Sequence, residues 1–268
     1  MKSYILLTGA YGGMGRATAK ALSEIGFCVF ALDKLTEESD DERIIPIEAD
    51  ITDESSIKNA LSVVSETTDS LFAIIHFAGI YMLDSLVEIE KDAFERIFKV
   101  NLEGVFLINK TFFPLLKQGS RIVITTSELA PLDPLPFTGI YAITKSALDK
   151  YAYSLRMELQ LKGIDVSVLR AGAVDTGMLG ASTVALNRFH EKTEIYSCNA
   201  TRFKRVVDSV EARCISPNKI ARRVAKILKS KRPAFAYSIN RNPLLLLLNA
   251  MPGRFQFWII KQILKEKK

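Results

Sequence analysis

Near its start the chain reads Tyr4-Ile5-Leu6-Leu7-Thr8-Gly9-Ala10-Tyr11-Gly12-Gly13-Met14-Gly15-Arg16. An apolar run suited to a buried strand breaks at Gly9 and gives way, from Met14 to Ile25, to apolar residues at the three-to-four spacing of a helix. The glycines stand where a strand must turn sharply into that helix. Glycine tolerates positive φ and lets a ligand approach the backbone, while a helix N-terminus presents free N–H groups and the positive end of its dipole. Such a turn suits a pyrophosphate. A glycine-rich turn that holds nothing is the other reading of an isolated motif, and the strand-turn-helix context weighs against it.

The same alternation continues along the chain. Strands are expected at Tyr4–Thr8, Val29–Leu32, Ile44–Ile47, Leu71–His76, Arg121–Thr125, Val166–Leu169 and Ala234–Tyr237. Helices are expected at Met14–Ile25, Ser55–Ser65, Lys91–Asn101, Leu102–Leu116, Tyr141–Leu161 and Asn218–Lys229. Repeated strand-helix units build a parallel sheet covered on both faces, so the expected fold is α/β, a Rossmann-type doubly wound sheet of about seven strands. No repeat or low-complexity linker divides the chain, and residues 1–240 are expected to form one dinucleotide-binding domain. Within it, residues 176–216 are polar and poorly periodic, either a mobile loop region or a substrate lid containing short helices. Residues 241–268 form an apolar and basic C-terminal extension.

Composition narrows the classes of function. With 48% of its 268 residues apolar and 25% charged, the chain can bury one sizeable core. The net charge of +6 comes from bases concentrated in the last quarter without a dense run, which argues against a nucleic-acid partner. Cys28, Cys198 and Cys214 lack paired C-x-x-C spacing and read as free thiols of a reducing compartment. His76 and His190 stand far apart without ligating neighbours, so no metal is expected. The apolar start is too short for a signal peptide, and a cytoplasmic location is expected.

Two carboxylates follow the second and third expected strands. Asp33, 18 residues beyond Gly15, can accept both ribose hydroxyls of an adenosine and would repel a 2′-phosphate. This favours NAD, with NADP left possible because Lys34 and Arg16 stand near enough in sequence to soften the repulsion. Asp50 could reach an adenine edge or simply cap a helix.

Tyr141 and Lys145, four residues apart, project from one helix face. A neighbouring ammonium stabilises a phenolate and brings the phenol toward the range of a general acid–base, which oxidation of an alcohol requires. Tyr and Lys at this spacing also occur together without any chemical role. Ser127 supplies context: it lies 14 residues before Tyr141 and follows the strand Arg121–Thr125, at the sheet edge where open α/β sheets bind ligands.

With these elements, residues 4–177 resemble the short-chain dehydrogenase/reductase family, whose pattern is TGxxxGxG, an Asn on the fourth helix, then Ser and YxxxK. The resemblance implies an NAD(P)-dependent oxidoreductase that interconverts an alcohol and a carbonyl. It implies that Tyr141 is the acid–base, that Lys145 lowers its pKa and binds the nicotinamide ribose, and that Ser127 orients the substrate oxygen. Asn101 matches the family's helix-breaking Asn, which holds a water in the proton path. Implied cofactor contacts are Gly9, Tyr11, Gly13, Met14, Gly15, Asp33, Asp50, Ile51, Ala78, Gly79, Tyr141, Lys145, Val174 and Thr176, the last two beside the nicotinamide carboxamide. Two departures stand out: His76 replaces the usual Asn near Ala78-Gly79, and Ala171 replaces the usual Pro. His76 reads as structural. The family also implies a homodimer or homotetramer formed through the helices at Leu102–Leu116 and Tyr141–Leu161. A dinucleotide-binding regulatory or scaffold protein that keeps the fold without the chemistry is the rival reading, which the presence of Tyr141 and Lys145 opposes.

At the substrate end, Leu129, Leu132, Leu135, Phe137, Met178, Leu179 and Phe189 are expected to line an apolar pocket, or else to pack the lid. The carboxyl end loosely resembles the hydroxysteroid and retinol dehydrogenase branch, including Lys231-Arg232-Pro233, so the expected small-molecule substrate is a steroid, retinoid or other lipid-like alcohol. A small polar or sugar substrate is the alternative. Leu244–Leu248 and Phe255–Ile260 are separated by Pro252-Gly253, and neither run reaches the roughly 18 residues of a spanning helix. Two readings remain for 243–260: a peripheral membrane contact, or a flap over the substrate mouth or a partner subunit.

Overall fold

A computed structural model describes residues 2–211 and 214–265. Among them, strands β1 (Ser3–Thr8), β2 (Phe27–Asp33), β3 (Ile44–Glu48), β4 (Leu71–His76), β5 (Leu116–Thr125), β6 (Asp165–Ala171) and β7 (Ala236–Ile239) pair in parallel in the order β3-β2-β1-β4-β5-β6-β7. This is the expected doubly wound, seven-stranded sheet.

Strand alternation sorts the core into two layers. Leu6, Phe30, Ile74, Ile122 and Val166 face one side, where α2 (Glu54–Thr67), α4 (Gly104–Phe112) and α5 (Gly139–Leu159) contribute Ile57, Ile108 and Leu148. Their neighbours Ile5, Leu7, Val29, Ile75 and Val123 face the other, against Leu22 of α1 (Gly13–Glu24) and Val224 of α8 (Pro217–Lys229). Because both faces are buried, these strands are continuously apolar, as a parallel sheet requires.

Several boundaries differ from the sequence expectation, each for a local reason. The two helices expected either side of Asn101 are one run: α3 (Lys91–Phe98), a single π-helical turn at Lys99–Glu103, and α4. This run ends early, in a tight 3-10 turn at Phe113–Leu115, because Pro114 cannot donate to a continuing helix. Strand β5 accordingly begins at Leu116 and not at Arg121, and β7 lies two residues beyond its expected position. The poorly periodic stretch holds two full helices, α6 (Gly177–Lys192) and α7 (Ser197–Glu211). The extension forms α9 (Pro243–Asn249) and α10 (Gly253–Leu264), with Asn242 capping the first through Leu244 N at 2.9 Å. No helix among the described residues is long and apolar enough to cross a membrane.

Candidate active site

Strand order reverses between β1 and β4, which opens a crevice at their carboxyl ends. A cleft of about 1150 Å³ lies there, larger than the roughly 300–1,000 Å³ of a pocket for one small molecule. Its inner wall is the glycine turn. Gly9 has φ +68°, and a Cβ on it would sit 2.4 Å from Ala78 N. A Cβ on Gly15 would lie 2.1 Å from the Gly9 carbonyl, so the turn closes tightly only with glycine at both places. Gly12 caps α1 without a side-chain hydrogen bond, and no acidic residue stands in the first turn, leaving that N-terminus electropositive. Gly13 leaves no room for a side chain beside Thr176, whose Cγ2 would be 2.7 Å from its Cβ. The glycine turn and the segment ahead of α6 thus adjoin, an arrangement that fits a dinucleotide laid across both.

Of the expected cofactor contacts, Gly9, Tyr11, Gly13, Met14, Gly15, Asp33, Asp50, Ile51, Ala78, Gly79 and Thr176 line this cleft. Val174 is buried and does not line it, forming a bridge with Ile215. The Asp33 carboxylate accepts from Tyr11 N at 3.0 Å and Lys34 N at 2.8 Å. Both nearby cations are engaged: Arg16 grips Glu37 and lies over the Tyr11 ring, and Lys34 pairs with Asp50 at 2.8 Å. Burial opposes the charge on Asp50, but hydrogen bonds from Lys34 and Thr52 outweigh it and hold the carboxyl at about 2. Asp50 therefore also braces its own loop, accepting from Thr52 N at 2.9 Å.

The expected catalytic residues gather behind the cleft wall. Ser127, Tyr141, Lys145 and Asn101 are all buried, and none lines the cleft. Burial pushes the Tyr141 phenol up to about 12, with a hydrogen bond from Ser127 pulling the other way. Lys145 Nζ lies 5.7 Å from the Tyr141 ring centre and donates to the Thr125 carbonyl at 3.3 Å, and burial brings the amine down to about 8. The phenol is thus shifted opposite to the direction expected from its lysine neighbour, because desolvation outweighs the attraction of a cation that does not touch the hydroxyl. Asn101 sits in the π turn, an irregularity common at functional sites. Its amide accepts from Ile80 N at 2.8 Å and donates to Ile80 O at 2.9 Å and Thr144 Oγ1 at 3.2 Å, fixing the loop after β4. At Gly79 a Cβ would approach Asn101 Oδ1 at 3.2 Å and Lys145 Nζ at 3.5 Å, so this glycine brings the cleft wall against the buried cluster.

Tyr81 separates cleft from cluster. It lines the cleft while its ring packs on Tyr141 at 4.8 Å, tilted by 52°. Tyr81 lies in the loop after β4, and nothing in its sequence neighbours reveals a ring-on-ring contact with a residue 60 positions away.

His76 is the buried structural group its position suggested. Its Nε2 pairs with Asn109 Oδ1 at 2.9 Å, Asn109 reaches Tyr151 Oη at 3.2 Å, and burial drives the imidazole down to about 4 against that hydrogen bond.

Of the expected substrate-lining residues, Met178 and Phe189 line the cleft, whereas Leu135, Phe137 and Phe189 pack into an apolar cluster under α6 and α7. Phe137 takes φ +68° and sets its ring 4.5 Å from Phe189 and 5.4 Å from Phe203, so the loop after β5 is keyed into both helices. Glu88 ties the same helices to the loop after β4, accepting from Thr193 Oγ1 at 2.8 Å and Glu194 N at 3.0 Å. The C-terminal extension joins this assembly: Asn242 N donates to Glu128 at 2.6 Å, Asp133 N to Asn249 at 2.6 Å, and Asn199 to the Leu264 carbonyl at 2.7 Å.

Comparison with known proteins agrees with this geometry. The chain is 31% identical over 191 residues to estradiol 17-beta-dehydrogenase 2 of Mus musculus, an alignment covering 67% of this chain and 50% of that protein. It thus spans about half the length of that relative. It is 24% identical to 3-ketodihydrosphingosine reductase of Bacteroides thetaiotaomicron, covering 92% of this chain and 90% of the relative. A short chain dehydrogenase from Burkholderia cenocepacia, solved in complex with NADP, superposes with a TM-score of 0.74 at 20% identity, covering 99% of this chain and 98% of that one. The family profile described as short chain dehydrogenase matches residues 3–186, and the chain belongs to that family.

Proposed function

We propose that the protein is an NAD(P)-dependent oxidoreductase that interconverts a secondary alcohol and its ketone. The observation that carries this reading is a buried Tyr141–Ser127–Lys145 cluster behind a cleft large enough for a dinucleotide. The overall change is alcohol + NAD(P)⁺ ⇌ ketone + NAD(P)H + H⁺, and the bound dinucleotide accepts or supplies the hydride. Tyr141 Oη takes the hydroxyl proton during oxidation and returns it during reduction. Ser127 hydrogen-bonds the same oxygen, and Lys145 provides the cationic field that favours a phenolate once Tyr141 gives up its proton. Asn101 holds the Ile80 backbone and Thr144 so that this geometry persists.

NAD is the proposed cofactor. Asp33 lines the cleft, and both cations beside it are neutralised by carboxylates, so a 2′-phosphate would meet net negative charge. Binding of NADH and NADPH by fluorescence titration, followed by an absorbance assay with hydroxysteroids, retinol, sugars and short alcohols, tests the reading. Tyr141→Phe is expected to reduce turnover at least a hundredfold while leaving NADH affinity within twofold. Failure to bind either nucleotide would instead favour a protein that keeps the fold without the chemistry.

The substrate is proposed to be lipid-like, since Met82, Leu83, Met178, Val184 and Phe189 line the outer cleft. The extension is proposed to rest on an anionic bilayer. Leu244, Leu247, Phe255, Phe257 and Trp258 are each more than half exposed, and Arg241, Arg254, Lys261 and Lys265 are exposed along the same segment. Flotation with phosphatidylserine vesicles checks this, and Phe257→Ser/Trp258→Ser should abolish it. A homo-oligomer is proposed through α4 and α5, where Phe106, Ile143, Tyr153 and Met157 expose over 40% of their surface; light scattering reads its mass.

A further inference from the structure

We propose that the outer end of the cleft holds a phosphate-bearing part of a lipid-like substrate, with Arg96, Lys99 and Arg188 as its cations. This site rests on the oxidoreductase reading, because it would receive the far end of the same substrate.

Two helical stripes face this part of the cleft. From Glu90, the residue before α3, one runs through Ala93 and Arg96 to Lys99 and Val100; α6 presents Met178, Ala181, Ala185, Arg188 and Lys192. Both follow the spacing of one helix face. Lys192 and Glu90 meet across the mouth at 3.8 Å. Arg188 lies one turn back along α6 from that pair, and Arg96 lies six residues beyond Glu90, about 9 Å along the helix. Arg96 and Arg188 thus flank the Glu90–Lys192 contact, and Lys99 follows Arg96 along the same stripe of the cleft wall.

Their pairing sets them apart from the rest of the cleft. At the adenosine end, Arg16 and Lys34 are held by Glu37 and Asp50. At the outer end, the lining carboxylates are Glu90, engaged by Lys192, and Asp84, which accepts from Ser85 N at 2.8 Å. Among the described residues, Arg96, Lys99 and Arg188 have no carboxylate within 4.0 Å. Unpaired like charges at the mouth of a low-dielectric cleft repel one another and focus a positive field into it, which an anion relieves.

Two sources could supply that anion, the substrate or the cofactor's own phosphates. Position favours the substrate. Thr176 adjoins the glycine turn, and Arg188 is twelve residues farther along the chain, so it stands about 18 Å along α6 from the place where a pyrophosphate would rest. Between the two ends the wall is apolar at Met178, Ala181, Val184 and Ala185. An apolar channel with a cationic rim matches a molecule with an aliphatic body and a phosphate at its far end.

The test is calorimetric titration of the full chain at low ionic strength, with and without saturating NADH, using dodecyl phosphate and dodecanol as probes. The wild type should bind the phosphate at least tenfold more tightly than the alcohol. In Arg96→Gln/Lys99→Gln/Arg188→Gln the two should bind within twofold of each other, with NADH affinity unchanged. Arg96→Lys/Arg188→Lys, which retains the charge, should keep the preference. Equal binding of both probes by the wild type, or a preference that survives the triple Gln variant, overturns the site. So does a tenfold loss of NADH affinity with the probe preference intact, which assigns the cations to the cofactor. If the wild type binds no NADH yet prefers dodecyl phosphate, the oxidoreductase reading falls and the anion site stands.

Discussion

His76 makes the stability of the cleft wall dependent on pH. It ends β4, immediately before the Phe77-Ala78-Gly79 segment that forms that wall, and its imidazole is fully buried against Asn109. Burial lowers its pKa from 6.5 to about 4, so between those values the unfolded chain binds a proton that the native protein does not. Stability contributed by the neutral imidazole is therefore complete above pH 6.5 and falls as pH drops toward 4, at about 1.4 kcal/mol per unit in the middle of that window. Acidifying from pH 7.5 to 4.5 should cost about 2.5 kcal/mol through this residue alone. With a denaturant slope near 3 kcal/mol/M, the urea midpoint would fall by about 0.8 M. Other groups titrate over the same range, so the measurement is a comparison of wild type with His76→Asn, which keeps a hydrogen-bonding side chain but does not titrate. The variant should start less stable at pH 7.5, because it is smaller, and should lose about 2.5 kcal/mol less on acidification. Parallel curves for the two proteins would refute the claim that this imidazole is buried and neutral in the native state.

Two further outcomes concern the site itself. Glu37→Gln releases Arg16 beside Asp33 and should raise NADPH affinity about tenfold relative to NADH, read by fluorescence titration; an unchanged ratio would mean that the Arg16–Glu37 pair has no part in cofactor choice. Tyr81→Ala uncovers Tyr141, whose high pKa of about 12 is caused first by burial, so the alkaline limb of the pH–rate profile should move to lower pH. A profile identical to wild type would show that Tyr81 does not shield the phenol.

The parallel sheet and the glycine turn were legible from local pattern. Continuous apolar strands bounded by helical periodicity have few other three-dimensional solutions, and Gly15 packs against Gly9 and Ala10 within its own turn. The spacing of Tyr141 and Lys145 likewise guaranteed a shared helix face. Residues 176–216 concealed two helices because their apolar positions, such as Leu186, Phe189 and Phe203, are buried against each other and against Phe137 from a different loop, not against the main sheet. The π turn at Asn101 was equally hidden, since one extra residue in a helical turn leaves no compositional mark.

Local sequence thus determined the chain's layers, the place where a dinucleotide would turn, and the chemical groups behind it, all of which depend on neighbours within a few residues. Only the tertiary structure decided the environment of those groups. Burial, which sums contributions from distant segments, set the protonation of Tyr141, Lys145 and His76. Packing across the cleft placed Tyr81 over Tyr141 and, among the described residues, left Arg96, Lys99 and Arg188 lining the cleft without a carboxylate partner, because side chains far apart in sequence meet only once the sheet has brought their helices together.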